Sequence, residues 1–245
     1  MAAVTGVLVA GVSACGASAD DDTHPDHRSF ALHGRTLTVD SDNAELEVVA
    51  AKGNKAGTVR VTRWFDGSVV VGDSPSVRWS FKDDRLVLRM HCSGFIADCS
   101  AKYRIEVPQG VKVGVDDDNG AVRARGFADA LGIHTSNGSV HVTDSTGPLD
   151  LRSDNGELRA DVAARQVHAE AGNGAVDLTL RRVPDRVDVS TDNGAVSVAL
   201  PRAAYHVQAD SDNGGVSVSV PRDDKSRHTV SADSSNGKVT VRTAN

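Results

Sequence analysis

Asn-Gly recurs at Asn119-Gly120, Asn137-Gly138, Asn155-Gly156, Asn173-Gly174, Asn193-Gly194, Asn213-Gly214 and Asn236-Gly237, in steps of 18, 18, 18, 20, 20 and 23 residues. A period of about 20 residues marks stacked architectures, in which one supersecondary unit cannot bury its apolar face without neighbours above and below. An isolated copy, Ser41-Asp42-Asn43-Ala44, lies upstream.

Aligned on the Asn, the copies form aliphatic columns. Six residues before it stand Val113, Leu131, Leu149, Val167, Val187, Val207 and Val230, and four before it stand Val115, Ile133, Leu151, Ala169, Val189, Ala209 and Ala232. Three and five after it the pattern resumes, as in Val140 and Val142 or Val196 and Val198, with polar or small residues between. Each repeat is therefore two short half-buried strands joined at the Asn-Gly. The upstream copy obeys the same rule with Leu37, Val39, Leu46 and Val48. Inward positions change parity across the Asn-Gly, so a bend sits there, and both residues tolerate the positive φ of a tight corner.

Two all-β architectures satisfy this pattern. In a β-solenoid each repeat is one coil, every column becomes a ladder of like residues, and the Asn side chains can hydrogen-bond along a stacked row. In an antiparallel hairpin array or sandwich each Asn-Gly closes a hairpin, and Val189 faces Val198. The recurrence in step and the small core, with 4% aromatics, favour the solenoid.

A chain of 245 residues with 39% hydrophobic content suits one elongated domain with a distinct first part. A net charge of −6 spread along the chain argues against nucleic acid as a partner. Residues 1–14 are small and apolar, and Val12-Ser13-Ala14-Cys15-Gly16 precedes Asp20-Asp21-Asp22. This resembles a bacterial lipobox, although no Lys or Arg precedes the apolar stretch; it implies a signal segment over 1–15 ending at a lipidated Cys15. Residues 16–29 then read as a flexible tether.

Cys92 and Cys99 flank Ser93-Gly94-Phe95-Ile96-Ala97-Asp98. Their spacing around a Gly suits a disulfide across a tight loop, with His91 the one candidate third ligand for a rival zinc site. Across 30–115 the segments Thr58–Trp64, Val77–Phe81, Arg85–Arg89 and Tyr103–Val107 alternate like strands. This part is expected to cap the open end of the repeat region, 116–245.

Leu37-Thr38-Val39-Asp40-Ser41-Asp42-Asn43, the Cys92 to Cys99 loop, Tyr103-Arg104-Ile105-Glu106-Val107-Pro108-Gln109-Gly110 and the Asp-Asn-Gly repeats together resemble the bacterial β-strand-repeat family DUF4097. Its members often carry the label "putative adhesin", and several are lipoproteins. The resemblance implies a β-helix-like fold and surface placement, and no reaction.

No catalytic constellation emerges from the residues. The column three before the Asn, which includes Asp116, His134, Arg152, Glu170 and Asp210, alternates in sign and reads as a solvated ladder with Arg152 pairing Glu170. Asp116, Asp117 and Asp118, or Asp210 and Asp212, could hold calcium, but Asp before Asn-Gly is ordinary turn chemistry. His134 and His141 would be opposed only in a hairpin. Nucleophile-elbow, phosphate-loop and dinucleotide motifs are absent from the sequence. The expectation is a lipid-anchored extracytoplasmic binding module without enzymatic activity, metal or cofactor, meeting a cell-wall glycan or envelope protein. An envelope sensing or regulatory module is the alternative, followed by a polysaccharide-acting β-helix enzyme.

Overall fold

A computed structural model describes residues 18–53 and 56–244. Each repeat contributes one strand to a 10-stranded sheet before the Asn-Gly and one to an 11-stranded sheet after it. Like strands of neighbouring repeats pair in parallel. Leu131 is in register with Val113 on one side and Leu149 on the other, and Val140 with Val122 and Leu158. The aliphatic columns are thus ladders, and the chain is a β-solenoid. Val189 pairs with Ala169 and Ala232 in one sheet while Val198 pairs with Leu178 and Val241 in the other, which rules out the hairpin array. The core between the sheets is built mainly of Leu, Val, Ile and Ala, with Trp79, Tyr103, Phe127 and Tyr205 among them.

From Lys112 to Leu200, order in sequence and order in space agree. At both ends they diverge. The last strands, Thr229–Asn236 and Val239–Thr243, insert between the coil over 186–200 and the coil made by His206–Ser211 and Val216–Ser219. At the other end the upstream copy is no outlier: Thr36–Ser41 and Glu45–Ala51 stack directly on the coil over 112–125, Leu37 on Val113 and Leu46 on Val122. Arg85–His91 and Ala97–Pro108 form the next coil out. The stack therefore begins well before residue 116.

Beyond that coil, pairing turns antiparallel. Ser76–Lys82 lines Arg85–His91, Thr58–Val69 lines Ala97–Pro108, and Asp26–Ala31 covers Thr58–Arg63. Phe30 stacks on Phe81 at 5.0 Å between ring centroids and meets Trp79 edge-on at 6.4 Å, plugging the open end. The expected flexible tether is corrected by its docking here. From Ser18 onward the chain is held: Ser18 N–H donates to Asp66, Phe65 N–H to Asp22, and Lys102 Nζ lies 2.7 Å from Asp20. Cys15 lies outside the described residues.

The repeat glycines are required for a reason other than positive φ. Among the described residues positive φ occurs at Asp83, Asp84, Asp144, Gly57, Gly72, Gly110 and Gly126, and at none of the repeated Asn-Gly pairs. A Cβ on Gly138 would stand 1.8 Å from the Gly120 carbonyl oxygen, and one on Gly156 2.0 Å from that of Gly138. Neighbouring coils approach too closely at this corner for any side chain.

Candidate functional site

The corner of the solenoid is a continuous Asn ladder. Each Nδ2 donates to the Oδ1 of the coil before it in space: Asn119 to Asn43, Asn137 to Asn119, Asn155 to Asn137, Asn173 to Asn155, Asn193 to Asn173, Asn236 to Asn193 and Asn213 to Asn236, all at 2.9–3.1 Å. Behind it runs a file of inward hydroxyls. Ser153, Thr191, Ser234 and Ser211 donate to the carbonyls of Gly138, Gly174, Gly194 and Gly237 at 2.7–3.1 Å. The Asn side chains and these four hydroxyls are paired with neighbouring coils, which makes them structural, whereas the buried hydroxyls of Ser41 and Thr135 at the cap-proximal end of the file have no hydrogen bond of good geometry.

Asp117 occupies a place in that hydroxyl file, between Ser41 and Thr135 in register. It is 2% exposed, and neither carboxylate oxygen has a hydrogen bond of good geometry. Burial pushes its pKa up to about 7, opposed by the adjacent Ser41 hydroxyl and reinforced by the Asp118 and Asp42 carboxylates. Its neighbours in sequence, Asp116 and Asp118, are exposed, so the three do not converge on a cation. Arg152 takes Asp150 of its own strand at 3.1 Å as its ion-pair partner instead of Glu170, which stands opposite it in register. His134 and His141 lie in different sheets. Asp192, Asp210, Asp212 and Asp233 border a hollow of about 160 Å³. Among the described residues no group of three or more His, Cys, Asp or Glu is arranged to hold a metal ion.

The corner of the coil over 85–108 is built differently. Where its neighbour turns in Asn43-Ala44, this coil runs from Cys92 through Ala97, and Cys92 and Cys99 are joined by a disulfide. The 12-residue strands Thr58–Val69 and Ala97–Pro108 pair as far as Val69 and Ala97, and the ladder continues with Val70 N–H to Ile96 O and Phe95 N–H to Val71 O. Gly94 is needed at the tip, because a Cβ there would lie 2.4 Å from Val69 Cγ1 and 2.6 Å from Val71 O. This finger carries Val70, Val71, Phe95 and Ile96, each 61–81% exposed, whereas the rest of the described chain exposes one other large apolar side chain, Val216, and that one less fully. A cavity of about 530 Å³ at its base is bordered by Asn43, Met90, Asn119 and the disulfide. The cysteines are legible in the sequence by their spacing, and the apolar tip only by the runs Val69-Val70-Val71 and Phe95-Ile96, which flank turn glycines.

The described residues form a β-solenoid closed by a cap, with an Asn-laddered corner and a disulfide-clasped projection. The profile of the Toastrack family, DUF4097, matches residues 97–245, and the chain belongs to that family. A putative adhesin from Bacteroides fragilis shares 12% identity over 91% of this chain and 98% of its own, with a TM-score of 0.52, which supports the fold. A putative cell adhesion protein from Clostridium sporogenes aligns over 90% of this chain and 100% of its own at 11% identity and a TM-score of 0.37. Comparison with curated proteins finds no match.

Proposed function

We propose that the protein is a lipid-anchored, extracytoplasmic, non-catalytic surface module that engages an envelope partner through its disulfide-clasped finger. The exposed tip of Val70, Val71, Phe95 and Ile96 carries this reading, since contiguous exposed apolar groups on a soluble scaffold mark contact sites. A tip of this chemistry suits an envelope protein better than a cell-wall glycan. The disulfide fits an oxidising compartment, and the adhesin labels of the similar structures fit a binding role. Cys15, in its lipobox-like context, is the proposed anchor.

Two measurements test it. Metabolic lipid labelling is expected for the native chain and absent for Cys15→Ala; labelling that survives the substitution overturns the anchor. Immobilised native protein is expected to retain an envelope protein that a Phe95→Ser/Ile96→Ser variant of unchanged melting temperature does not; equal retention overturns the finger as the contact.

A further inference from the structure

The cap carries a second surface of opposite character. Strands Ser76–Lys82 and Arg85–His91 form an antiparallel pair in which Arg78 stands opposite Arg89 and Lys82 opposite Arg85. Like charges directly opposed across a ladder cost stability unless something neutralises them. Elsewhere on the stack several outward cations have a carboxylate partner, as in Arg159 with Glu157, Arg186 with Asp188 and Arg181 with Asp161, while the like charges opposed there are acidic, as in Asp210 opposite Asp233.

Around this hairpin lies a cavity of about 660 Å³ bordered chiefly by Arg28, Arg63, Arg78, Arg89, Trp79 and Ser80, with no carboxylate in its lining. The guanidinium carbons of Arg28 and Arg63 sit 4.7 and 4.8 Å from the Trp79 ring centroid. Trp79 is itself 8% exposed, so it serves as a platform that fixes the two cations rather than as a face for a ligand to stack on. Asp26 pairs with Arg63 and Asp40 is shared by Arg85 and Arg89, while Asp22 and Asp116 act at longer range on Arg63 and Arg85. Burial penalises the Asp40 carboxylate, but hydrogen bonds from Arg85 and Arg89 outweigh that penalty and hold its pKa low, so it is already fully engaged. Among the described residues Arg28, Arg78 and Lys82 have no carboxylate partner. In a chain of net charge −6, four arginines thus border one cavity at the edge of the cap.

We infer that this face of the cap is a binding site for a phosphate-bearing polymer of the envelope. A tetrahedral phosphate offers acceptors in several directions and can bridge opposed guanidinium groups, as at Arg78 and Arg89. A planar carboxylate matches one guanidinium fork. Successive phosphates along a polymer would engage the arginines that border the cavity and, four positions farther along the edge strand from Arg78, Lys82. The site rests on the extracytoplasmic binding role proposed above, while using a surface distinct from the finger.

The test is isothermal titration of the full chain, with Cys15→Ser to prevent lipidation, against inorganic polyphosphate, inorganic monophosphate, polygalacturonate, and vesicles with and without phosphatidylglycerol. Polyphosphate is expected to bind and to raise the melting temperature, monophosphate to bind far more weakly, and added salt to weaken both. An Arg78→Ser/Lys82→Ser variant, altered only at exposed positions of an edge strand, is expected to lose affinity by about tenfold or more. Arg78→Lys/Lys82→Arg, which keeps both charges, should retain most of it. Absence of polyphosphate binding at low salt, or equal binding by the serine variant, overturns the site. Equal affinity for polygalacturonate overturns the phosphate assignment, and binding confined to phosphatidylglycerol vesicles overturns the polymer in favour of a lipid headgroup. These readouts do not involve lipid labelling or the finger, so the site can fail while the anchor and finger stand.

Discussion

In the middle of the stack, from Lys112 to Leu200, each coil lies on the one that precedes it in sequence, whereas at both ends a coil is inserted out of order. The difference shows how a solenoid handles its ends. A coil laid outermost pairs on one side only and leaves a strand edge open. Here strands Thr229–Asn236 and Val239–Thr243 are ladder members with neighbours on both sides, and the outermost coil is 206–219, which the chain enters from Leu200 and leaves towards Thr229. That coil still pays in exposure, since Val216 is 44% exposed while its counterparts Val196 and Val239 are buried. At the opposite end the same insertion buries the coil over 36–51 and leaves the coil over 85–108 to be covered by antiparallel strands and aromatic rings.

The corners sharpen the contrast. A corner with a repeat on either side is committed to its neighbours through the Asn ladder and the glycine contact. The coil over 85–108 has a repeat on one side only, and there the corner is free to lengthen into the finger.

The largest effect is expected from Gly138→Ala, whose Cβ would meet the Gly120 carbonyl oxygen at 1.8 Å. Coils must separate there, and we expect a loss of about 4 kcal/mol or more, read from chemical denaturation. Gly53→Ala, where no atom lies within 4 Å of the new Cβ, should be near neutral.

Asp117→Ser restores the hydroxyl file and is expected next. The Asp117 pKa is raised in the folded chain from 3.8 to about 7, so the native state holds a proton that the unfolded state releases between those values. Native stability should therefore fall as pH rises from about 4 to about 7 and level off above it, by an amount bounded at about 4 kcal/mol. The serine variant should lack this slope, and an identical pH profile for the two proteins would count against a buried, neutral Asp117.

Asn155→Ala removes two ladder bonds and Asn213→Ala one, since Asn213 is the last rung. At about 1 kcal/mol per net bond, the first should cost roughly twice the second. Phe95→Ser should change stability by less than about 0.5 kcal/mol, being an exposed tip residue outside any core.

Much of the stack was legible because its information is periodic. The inward columns read from the sequence, such as Val122, Val140 and Leu158, are the observed ladders. Coil order at the ends was not legible, because the 23-residue step to Asn236 fits a coil placed on either side of Asn213. The role of the corner glycines also escaped, since it depends on a distance between coils that no single repeat reveals. Asp117 is a different case: the column two before the Asn reads Asp117, Thr135, Ser153, Ala171, Thr191, Ser211 and Ser234, so its oddity was visible, but attention to the turn placed it outside. The finger and the arginine face have no period at all, and nonperiodic features need the fold before their residues can be brought together.

The inserted C-terminal coil is tested most directly by disulfide trapping between ladder positions. Neighbouring rungs of a parallel stack are about 4.8 Å apart, within reach of a disulfide, while alternate rungs at about 10 Å are not. Asn193→Cys/Asn236→Cys and Asn236→Cys/Asn213→Cys are expected to cross-link on mild oxidation, as read by peptide mass spectrometry, and Asn193→Cys/Asn213→Cys to stay reduced. Cross-linking of the 193–213 pair with none at 193–236 would contradict the order described and return the last two repeats to their sequence order.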